Sequence, residues 1–171
     1  AIRVVSQRIQ QSLVSLGVAE SNISVVPIQV SLDSFLAVGK KRIYQMKENV
    51  AFLYVGRFAP EKNLLLLVQA FHGVYKKHHN CTLTLVGSGP EEENIKQYVN
   101  AHSLQSVVHF KSWTEDVARE MAQHDVFCLS SDHEGWAMVL QEAAAAGMGI
   151  VTTDVGCAGE FIESDKTGLV V

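Results

Sequence analysis

The chain has 171 residues, of which 47% are hydrophobic and 19% are charged, a balance typical of a globular protein with one good-sized core. This composition excludes a disordered or low-complexity chain, and the formal charge of -4 at pH 7 gives no overall attraction for nucleic acid. Three widely spaced cysteines predict neither a disulfide framework nor a Cys-x-x-Cys metal site, which fits a reducing cytosol. No apolar run is long enough to span a bilayer. The chain begins without methionine, so we expect it to be part of a longer protein.

The first part of the sequence predicts the end of one domain. A strand end is followed by a helix that Ser6 can cap and Gly17 can end, and a second strand begins near Ile23. We therefore assign residues 1–30 to the end of a domain that lies mostly outside this chain. Residues 31–49 show no strong periodicity and are predicted to form an interdomain connection with a short helix.

From residue 50 onward, short β-branched runs alternate with helix-like segments. The runs are nearly continuously apolar, as expected of strands that are buried on both faces. Strand, helix and strand in repetition require right-handed crossovers, so residues 50–171 predict an α/β fold with a doubly wound, Rossmann-like parallel sheet. The predicted strands cover residues 50–56, 81–87, 107–110, 125–130, 149–154 and 168–171.

Several residues predict where the intervening helices begin and end. Pro60 and Pro90 suit first-turn positions, because proline lacks the N–H that would be unpaired there. Thr114 is predicted to cap the helix over residues 115–123. Gly147 suits the residue that follows a helix end.

The segment "GRFAPEKN", after the first strand of the predicted sheet, gathers features of an anion site. Ligands of such sheets bind outside the carboxyl ends of the strands. Gly56 allows a close backbone approach, Arg57 offers a fork of donors, and Lys62 is expected in the first turn of the next helix. Two cations and a helix start suit a diphosphate. The alternative is that Arg57 pairs with a surface carboxylate and Lys62 is merely solvated.

The segment "GSGPEEEN", after the second strand, resembles a phosphate loop only in part. Its three consecutive glutamates, residues 91–93, would occupy the first helical turn and repel a phosphate. We therefore assign Gly87 and Gly89 to a tight turn beside the ligand.

Two carboxylates in "DHEGWAMVLQEAAAAG" are the strongest candidates for contacts with a ligand. Glu134 is expected at a helix start, where an acid also stabilises the helix without any ligand. Glu142 follows eight residues later, roughly 12 Å along a helix axis, which matches the reach from a sugar to a ribose across a diphosphate. The helix around Glu142 is apolar nearly all round, which predicts burial and therefore a partner. That partner is either a ligand hydroxyl, which we favour, or another part of the protein.

Taken together, these segments resemble a known family. The segments "FLYVGRFAPEKNLLLLVQAF", "LTLVGSGP", "DVFCLSSDHEGWAMVLQEAAAAG" and "VTTDVGCAGEFI" are similar, in order and spacing, to the donor-binding C-terminal domain of the retaining GT-B glycosyltransferases of the large "group 1" family. Two glutamates separated by seven residues are that family's signature. The resemblance covers residues 50–171, the C-terminal half of a GT-B fold, and residues 1–30 resemble the end of the N-terminal acceptor domain.

The resemblance implies a role for each matching residue. Arg57 and Lys62 would bind the nucleotide diphosphate and stabilise the charge that develops on it. Glu134 would contact hydroxyls of the transferred sugar, and Glu142 would contact the ribose.

Backbone groups would contact the rest of the donor. Amides of Gly135, Trp136 and Ala137 would lie near the sugar and phosphate, and the strand end at Phe110 and Lys111 would line the base. Family members often have Phe-Gly where this chain has Trp136-Ala137, so the donor sugar stays open. With Gly56, these residues complete the predicted donor site.

The implied activity is that of a hexosyltransferase. It would move a sugar from a nucleotide-diphosphate sugar to a glycan or lipid-linked acceptor with retention of configuration, and it needs no metal or other cofactor. The acceptor would bind through the absent N-terminal domain, so the isolated chain should be inactive. The expected location is the cytoplasm, with peripheral membrane contact left open and no nucleic-acid partner.

Two alternatives are kept. A GT-B sugar-nucleotide epimerase or phosphorylase would use a similar donor domain. A non-catalytic doubly wound binding domain is less favoured, because a receiver-type domain would carry an acidic cluster after its first strand, where this chain has Arg57 and Lys62.

Overall fold

The structure, a computed structural model, describes residues 1–45 and 47–171. The strands in these residues form two sheets, and all of the pairings within them are parallel. β1 (Ile2–Val4) and β2 (Ile23–Val25) pair in a separate small sheet. The described part of the larger sheet comprises β3 (Val50–Val55), β4 (Cys81–Val86), β5 (Val108–Lys111), β6 (Val126–Leu129), β7 (Gly149–Thr152) and β8 (Leu169–Val170).

The larger sheet confirms the predicted α/β class. Each predicted strand is present within two residues of its expected ends. The strand order is β5-β4-β3-β6-β7-β8, which is 3-2-1-4-5-6 when β3 is counted first, the order of the Rossmann fold. The direction of winding reverses between β3 and β6. A crevice therefore opens outside the carboxyl ends of these two strands, where such folds bind ligands.

Helices cover the sheet, and short 3-10 turns lie at Glu20–Asn22 and Pro60–Lys62. Their apolar side chains complete a core in which Leu53, Leu140 and Ile95 have no exposed surface. The α-helices of the described residues are α1 (Gln7–Ser15), α2 (Asp33–Gly39), α3 (Leu64–Tyr75), α4 (Glu92–Ala101), α5 (Val117–Gln123) and α6 (Met138–Ala145).

Several predicted helix boundaries are confirmed. Ser6 caps α1, since its hydroxyl accepts a hydrogen bond from the N–H of Ile9 at 3.2 Å. Gly17 and Gly147 follow helix ends with φ of 92° and 67°, a left-handed conformation that glycine adopts without strain. Pro60 opens the first turn of a 3-10 helix.

Two other helix starts differ from the prediction. Thr114 does not cap α5. The cap is Asp116, whose carboxylate accepts a hydrogen bond from the N–H of Arg119 at 3.0 Å. An aspartate one residue before the helix reaches the free N–H groups of the first turn, and its negative charge is favourable at the positive end of the helix dipole. α4 begins at Glu92, so Pro90 precedes the helix and does not lie in its first turn.

The predicted connection, residues 31–49, contains the expected short helix. This helix, α2, packs against α5 and α6, and its Phe35 belongs to the main core. The guanidinium of Arg42 donates to three carbonyl groups at the ends of α5 and α6, at 2.6 to 2.8 Å. The described part of the connection is thus attached to the larger sheet's helices. Residue 46 lies outside the described residues, and the division into domains stays a prediction.

Candidate functional site

A cleft of about 620 Å³ lies where the strand order reverses. Its walls come from the ends of β3 and β6, the segment after β5, and the first turns of α5 and α6. Most of the residues predicted from the sequence meet there, although they are far apart along the chain. The predicted residues that line the cleft are Gly56, Arg57, Lys62, Glu134, Trp136, Ala137 and Glu142.

Three predicted residues do not line this cleft. The ring of Phe110 packs edge to face against Phe58, with centroids 6.4 Å apart. Lys111 forms an ion pair with Glu120 at 2.8 Å. Gly135 is exposed beside the cleft. The donor contacts of Phe110, Lys111 and Gly135 therefore stay predictions, because none of these residues lines the cleft.

Sequence analysis missed several lining residues. Trp113 follows the same strand as Phe110, and its side chain is 60% exposed on the cleft wall. The cleft wall therefore includes a residue just beyond the predicted strand end, whereas the predicted contacts of Phe110 and Lys111 remain untested. An exposed tryptophan beside a predicted ligand edge was the available signal. The other missed residues are apolar or buried groups with no distinguishing pattern: Ile28, Tyr54, Val55, Val117, Leu129, Met138 and Val139.

Lys62 and Glu134 form an ion pair inside the cleft. Lys62 Nζ lies 2.7 Å from Glu134 Oε1, and the two side chains are only 20% and 13% exposed. The hydroxyl of Ser131 donates to the same carboxylate oxygen at 2.8 Å. The residue expected to bind a diphosphate and the residue expected to bind a sugar are therefore in direct contact.

The backbone that carries this pair is not helical. Lys62 closes the 3-10 turn before α3, and the hydroxyl of Ser130 donates to its carbonyl at 2.9 Å. Glu134 lies in a loop four residues before α6, not at a helix start as predicted. Ala137 explains the difference, because its left-handed φ of 63° interrupts any helical path before Met138. The predicted rise of eight helical residues between the two glutamates therefore does not apply.

Arg57 occupies a more exposed position. Its guanidinium pairs with Glu61 at 2.7 Å, and the two side chains are 70% and 39% exposed. This contact with a nearby carboxylate is the alternative weighed from the sequence, although Arg57 also lines the cleft. The buried Tyr54 hydroxyl donates to the Arg57 carbonyl at 3.1 Å, and burial raises the pKa of this tyrosine. A Cβ at Gly56 would lie 2.6 Å from that hydroxyl, so a larger residue there would have to displace the buried tyrosine.

Glu142 lies in α6 with its side chain on the cleft. α6 is less buried than its sequence suggested, because only Leu140 and Ala143 are fully buried and Met138 is 46% exposed. Loss of solvent raises the pKa of the Glu142 carboxyl. Among the described residues, no hydrogen bond or ion pair engages this carboxylate. It is therefore available to a ligand in the cleft.

The loop after β7 holds the segment that joins Glu134 to α6. The N–H of Cys157 donates to the carbonyl of Trp136 at 2.9 Å. A Cβ at Gly156 would lie 2.7 Å from the same carbonyl oxygen, and φ of Gly156 is 57°. Trp136 itself is only 7% exposed. The tryptophan is therefore largely buried, although it contributes to the cleft lining.

Gly87 and Gly89 lie in the loop after β4 and do not line the cleft. Both have positive φ, 141° and 156°. A Cβ at Gly89 would lie 2.8 Å from the backbone nitrogen of Phe58. The chain turns directly after Gly89, where the N–H of Glu92 donates to the carbonyl of Gly89 at 3.1 Å, and the close approach of two backbones explains both glycines. That this turn lies beside a ligand stays a prediction.

Within residues 1–45 and 47–171, no three His, Cys, Asp or Glu side chains are grouped closely enough to hold a metal ion. The helices of these residues are all too short or too polar to cross a membrane.

Comparison with known proteins decides the family. The model of the family described as "Glycosyl transferases group 1" matches residues 40–171. The chain belongs to this family. The resemblance inferred from the sequence is therefore confirmed.

Individual relatives agree with this assignment. An uncharacterized glycosyltransferase of Haemophilus influenzae is 36% identical over 104 residues, which are 61% of this chain and 30% of that protein. A GDP-mannose-dependent phosphatidylinositol monomannoside mannosyltransferase of Mycobacterium tuberculosis is 28% identical over 140 residues, 77% of this chain and 36% of that protein. The chain thus spans about a third of the length of these relatives.

The fold is also found in solved structures. The pneumococcal O-GlcNAc transferase GtfA, in complex with UDP and GlcNAc, aligns with a TM-score of 0.83 and 23% identity. The alignment covers 99% of this chain and 33% of that protein. The predicted half of a GT-B fold is confirmed.

Proposed function

We propose that this chain is the donor-binding part of a glycosyltransferase and that its cleft binds a nucleotide-diphosphate sugar. The observation that carries the proposal is the meeting of two cations and two carboxylates in one cleft at the point where the strand order reverses. Arg57 and Lys62 come from the segment after β3, whereas Glu134 and Glu142 come from the segment after β6 and from α6. Each half of this arrangement suits a different part of a sugar nucleotide.

The cations would bind the diphosphate. Lys62 presents an ammonium group inside the cleft, and Arg57 offers a planar fork of donors at a more exposed place. Gly56 lets a phosphate approach the backbone beside them. As the glycosidic bond breaks, negative charge grows on the departing diphosphate, and these fixed positive charges would stabilise it. This arrangement supplies the charge stabilisation without a metal ion.

The carboxylates would bind hydroxyl groups at the two ends of the diphosphate. Glu134, next to Lys62, would accept hydrogen bonds from the transferred sugar. Glu142, without a partner among the described residues, would accept from the ribose, and hydroxyl donors would offset the desolvation that raises its pKa. The base would then lie toward the first turn of α5, near Val117 and Trp113.

The names of relatives support a donor of this class. The relative from Mycobacterium tuberculosis is a GDP-mannose-dependent mannosyltransferase, and the pneumococcal structure contains UDP and GlcNAc. We propose that the transfer proceeds with retention of configuration, with the departing phosphate helping to deprotonate the acceptor. The proposed acceptor is a glycan or a lipid-linked glycan, and the proposed location is the cytoplasm, with peripheral contact at the inner face of the membrane.

Saturation-transfer NMR on this chain would test donor binding. A panel of UDP-, GDP- and ADP-sugars is compared on the wild type, on Glu142→Ala, and on the control Glu93→Ala, whose side chain is 79% exposed and lies outside the cleft. We expect one nucleotide class to give signals that Glu142→Ala removes and Glu93→Ala retains. A folded wild-type chain that binds none of these donors would contradict the proposal.

A further inference from the structure

We propose that Ser131 is a positioning residue, which orients the Glu134 carboxylate so that one of its oxygens is presented to the donor sugar. The inference rests on the proposed function, because it assumes that Glu134 contacts the sugar of a nucleotide sugar. It adds a residue to the site that neither the sequence pattern nor the cleft lining indicated.

The two oxygens of Glu134 are in different situations. Oε1 accepts from Ser131 Oγ at 2.8 Å and from Lys62 Nζ at 2.7 Å. Two donors fill the lone pairs of one carboxylate oxygen. Oε2 receives no hydrogen bond from the described residues. The protein thus holds one oxygen and leaves the other for a hydroxyl group in the cleft.

Ser131 is itself fixed in place. It has no exposed surface, and its carbonyl accepts from the hydroxyl of Thr153 at 2.6 Å, just beyond β7. The preceding residue, Ser130, donates to the carbonyl of Lys62 at 2.9 Å. Two consecutive serines therefore contact the two partners of the ion pair. Ser130 binds the backbone carbonyl of Lys62, and Ser131 binds the carboxylate of Glu134.

The hydroxyl of Ser131 gives the carboxylate a direction that the ion pair alone does not supply. A lysine ammonium group is a point charge on a flexible stem and attracts either carboxylate oxygen, or both. Without the serine hydroxyl, the Glu134 carboxylate would be free to turn both oxygens toward Lys62. The donor sugar would then compete with Lys62 for its acceptor, so its affinity should fall.

A double-mutant cycle separates positioning from a general structural role. The four proteins are the wild type, Ser131→Ala, Glu134→Ala and the double variant. Calorimetry gives the Kd of the sugar nucleotide that binds the wild type and of the matching nucleoside diphosphate, which lacks the sugar. We expect Ser131→Ala to weaken the sugar nucleotide about tenfold and the nucleoside diphosphate less than twofold, as for the loss of one hydrogen bond to a charged group. In the Glu134→Ala background, the serine substitution should have no further effect.

Ser131→Cys provides a second variant in case the alanine variant is unstable. It keeps the size of the side chain but replaces the hydroxyl by a weak donor, so its loss of affinity should approach that of Ser131→Ala. Thermal melting of each variant reports whether it is folded.

Three results would overturn the inference while leaving the proposed function intact. They are an equal loss for both ligands, a loss of the same size in the Glu134→Ala background, and wild-type affinity in Ser131→Cys. A wild-type chain that binds no sugar nucleotide would defeat the proposed function, and this inference with it.

Discussion

Arg57 and Lys62 are close neighbours along the chain, but the ion pairs that they form with glutamates differ sharply in their surroundings. Lys62 and Glu134 join segments 72 residues apart, and both side chains are largely buried. Arg57 and Glu61 are neighbours along the chain, and Arg57 is 70% exposed. Both cations, Arg57 and Lys62, line the cleft. Only the first pair links the two strand ends between which the cleft lies.

The difference shows that equal distances do not mean equal roles. Both pairs measure 2.7 Å, but a buried charge that loses its partner is costly, whereas an exposed one is rehydrated. The Lys62–Glu134 pair should therefore support the fold and the ligand together. The Arg57–Glu61 pair should matter to the ligand alone, with Glu61 holding Arg57 until a diphosphate replaces it.

Replacement of Lys62 should have the largest effect. Lys62→Met leaves the Glu134 carboxylate without its cation, so the free energy of unfolding should fall by roughly 2 to 3 kcal/mol, somewhat below the loss for a fully buried pair. Urea denaturation at pH 7 measures this loss. Adding Glu134→Gln removes the unpaired charge and should restore much of the stability. Unchanged stability in Lys62→Met would mean that the pair contributes little to the fold.

Arg57→Ala should separate binding from stability. We expect the affinity for the sugar nucleotide to fall about tenfold, as for the loss of a charged hydrogen bond, with no change in Tm. Calorimetry and thermal melting on the same preparation provide the two values. A lower Tm with normal affinity would assign Arg57 to the fold and remove it from the site.

Glu142→Gln should show an effect on stability that depends on pH. Burial raises the pKa of Glu142 in the folded chain, so the folded state holds this proton more tightly than the unfolded state does. The raised pKa therefore adds to the free energy of unfolding while the carboxyl is protonated, below the unfolded pKa of about 4.3. This contribution is lost as pH rises through the folded pKa. Glu142→Gln should therefore raise the urea midpoint at pH 7, with a smaller gain at pH 4, and weaken donor binding. An equal gain at both pH values would show that the carboxylate charge is not the cause.

Glu61→Gln should have the smallest effect. Its charge is exposed, so Tm should stay the same, while the release of Arg57 should improve the affinity for the nucleoside diphosphate by about twofold or less. Calorimetry in low salt, where exposed charges are least screened, gives the best chance to detect the change. Weaker binding would contradict the view that Glu61 competes with the ligand.

Much of the fold was predictable because its signals are local. The strands carry continuous apolar runs, and Ser6, Gly17 and Gly147 mark helix boundaries as expected. The order of the strands was not predictable. It depends on whether the chain, after each helix, adds the next strand on one side of β3 or on the other. The position of the cleft therefore followed from the structure, although the sequence had indicated the strand ends that form it.

The candidate site was predictable in its residue types but not in its local geometry. Glu134 lies in a loop because Ala137 adopts a left-handed conformation that nothing in an alanine signals. The cap of α5 is Asp116, not Thr114, and two favourable cap residues only two positions apart differ too little for sequence to choose between them. Contacts across 72 residues, such as the Lys62–Glu134 pair, arise only when the chain folds.

The most direct test of the central claim is an amide NMR map of the chain during titration with the sugar nucleotide that binds it. We predict that the largest shifts occur at residues 56–62 and 131–137 and in the first turns of α5 and α6, with smaller shifts in the turn at residues 87–90. This result would place the donor between the ends of β3 and β6. Shifts confined to other surfaces, such as α1, with an unchanged cleft, would contradict the account.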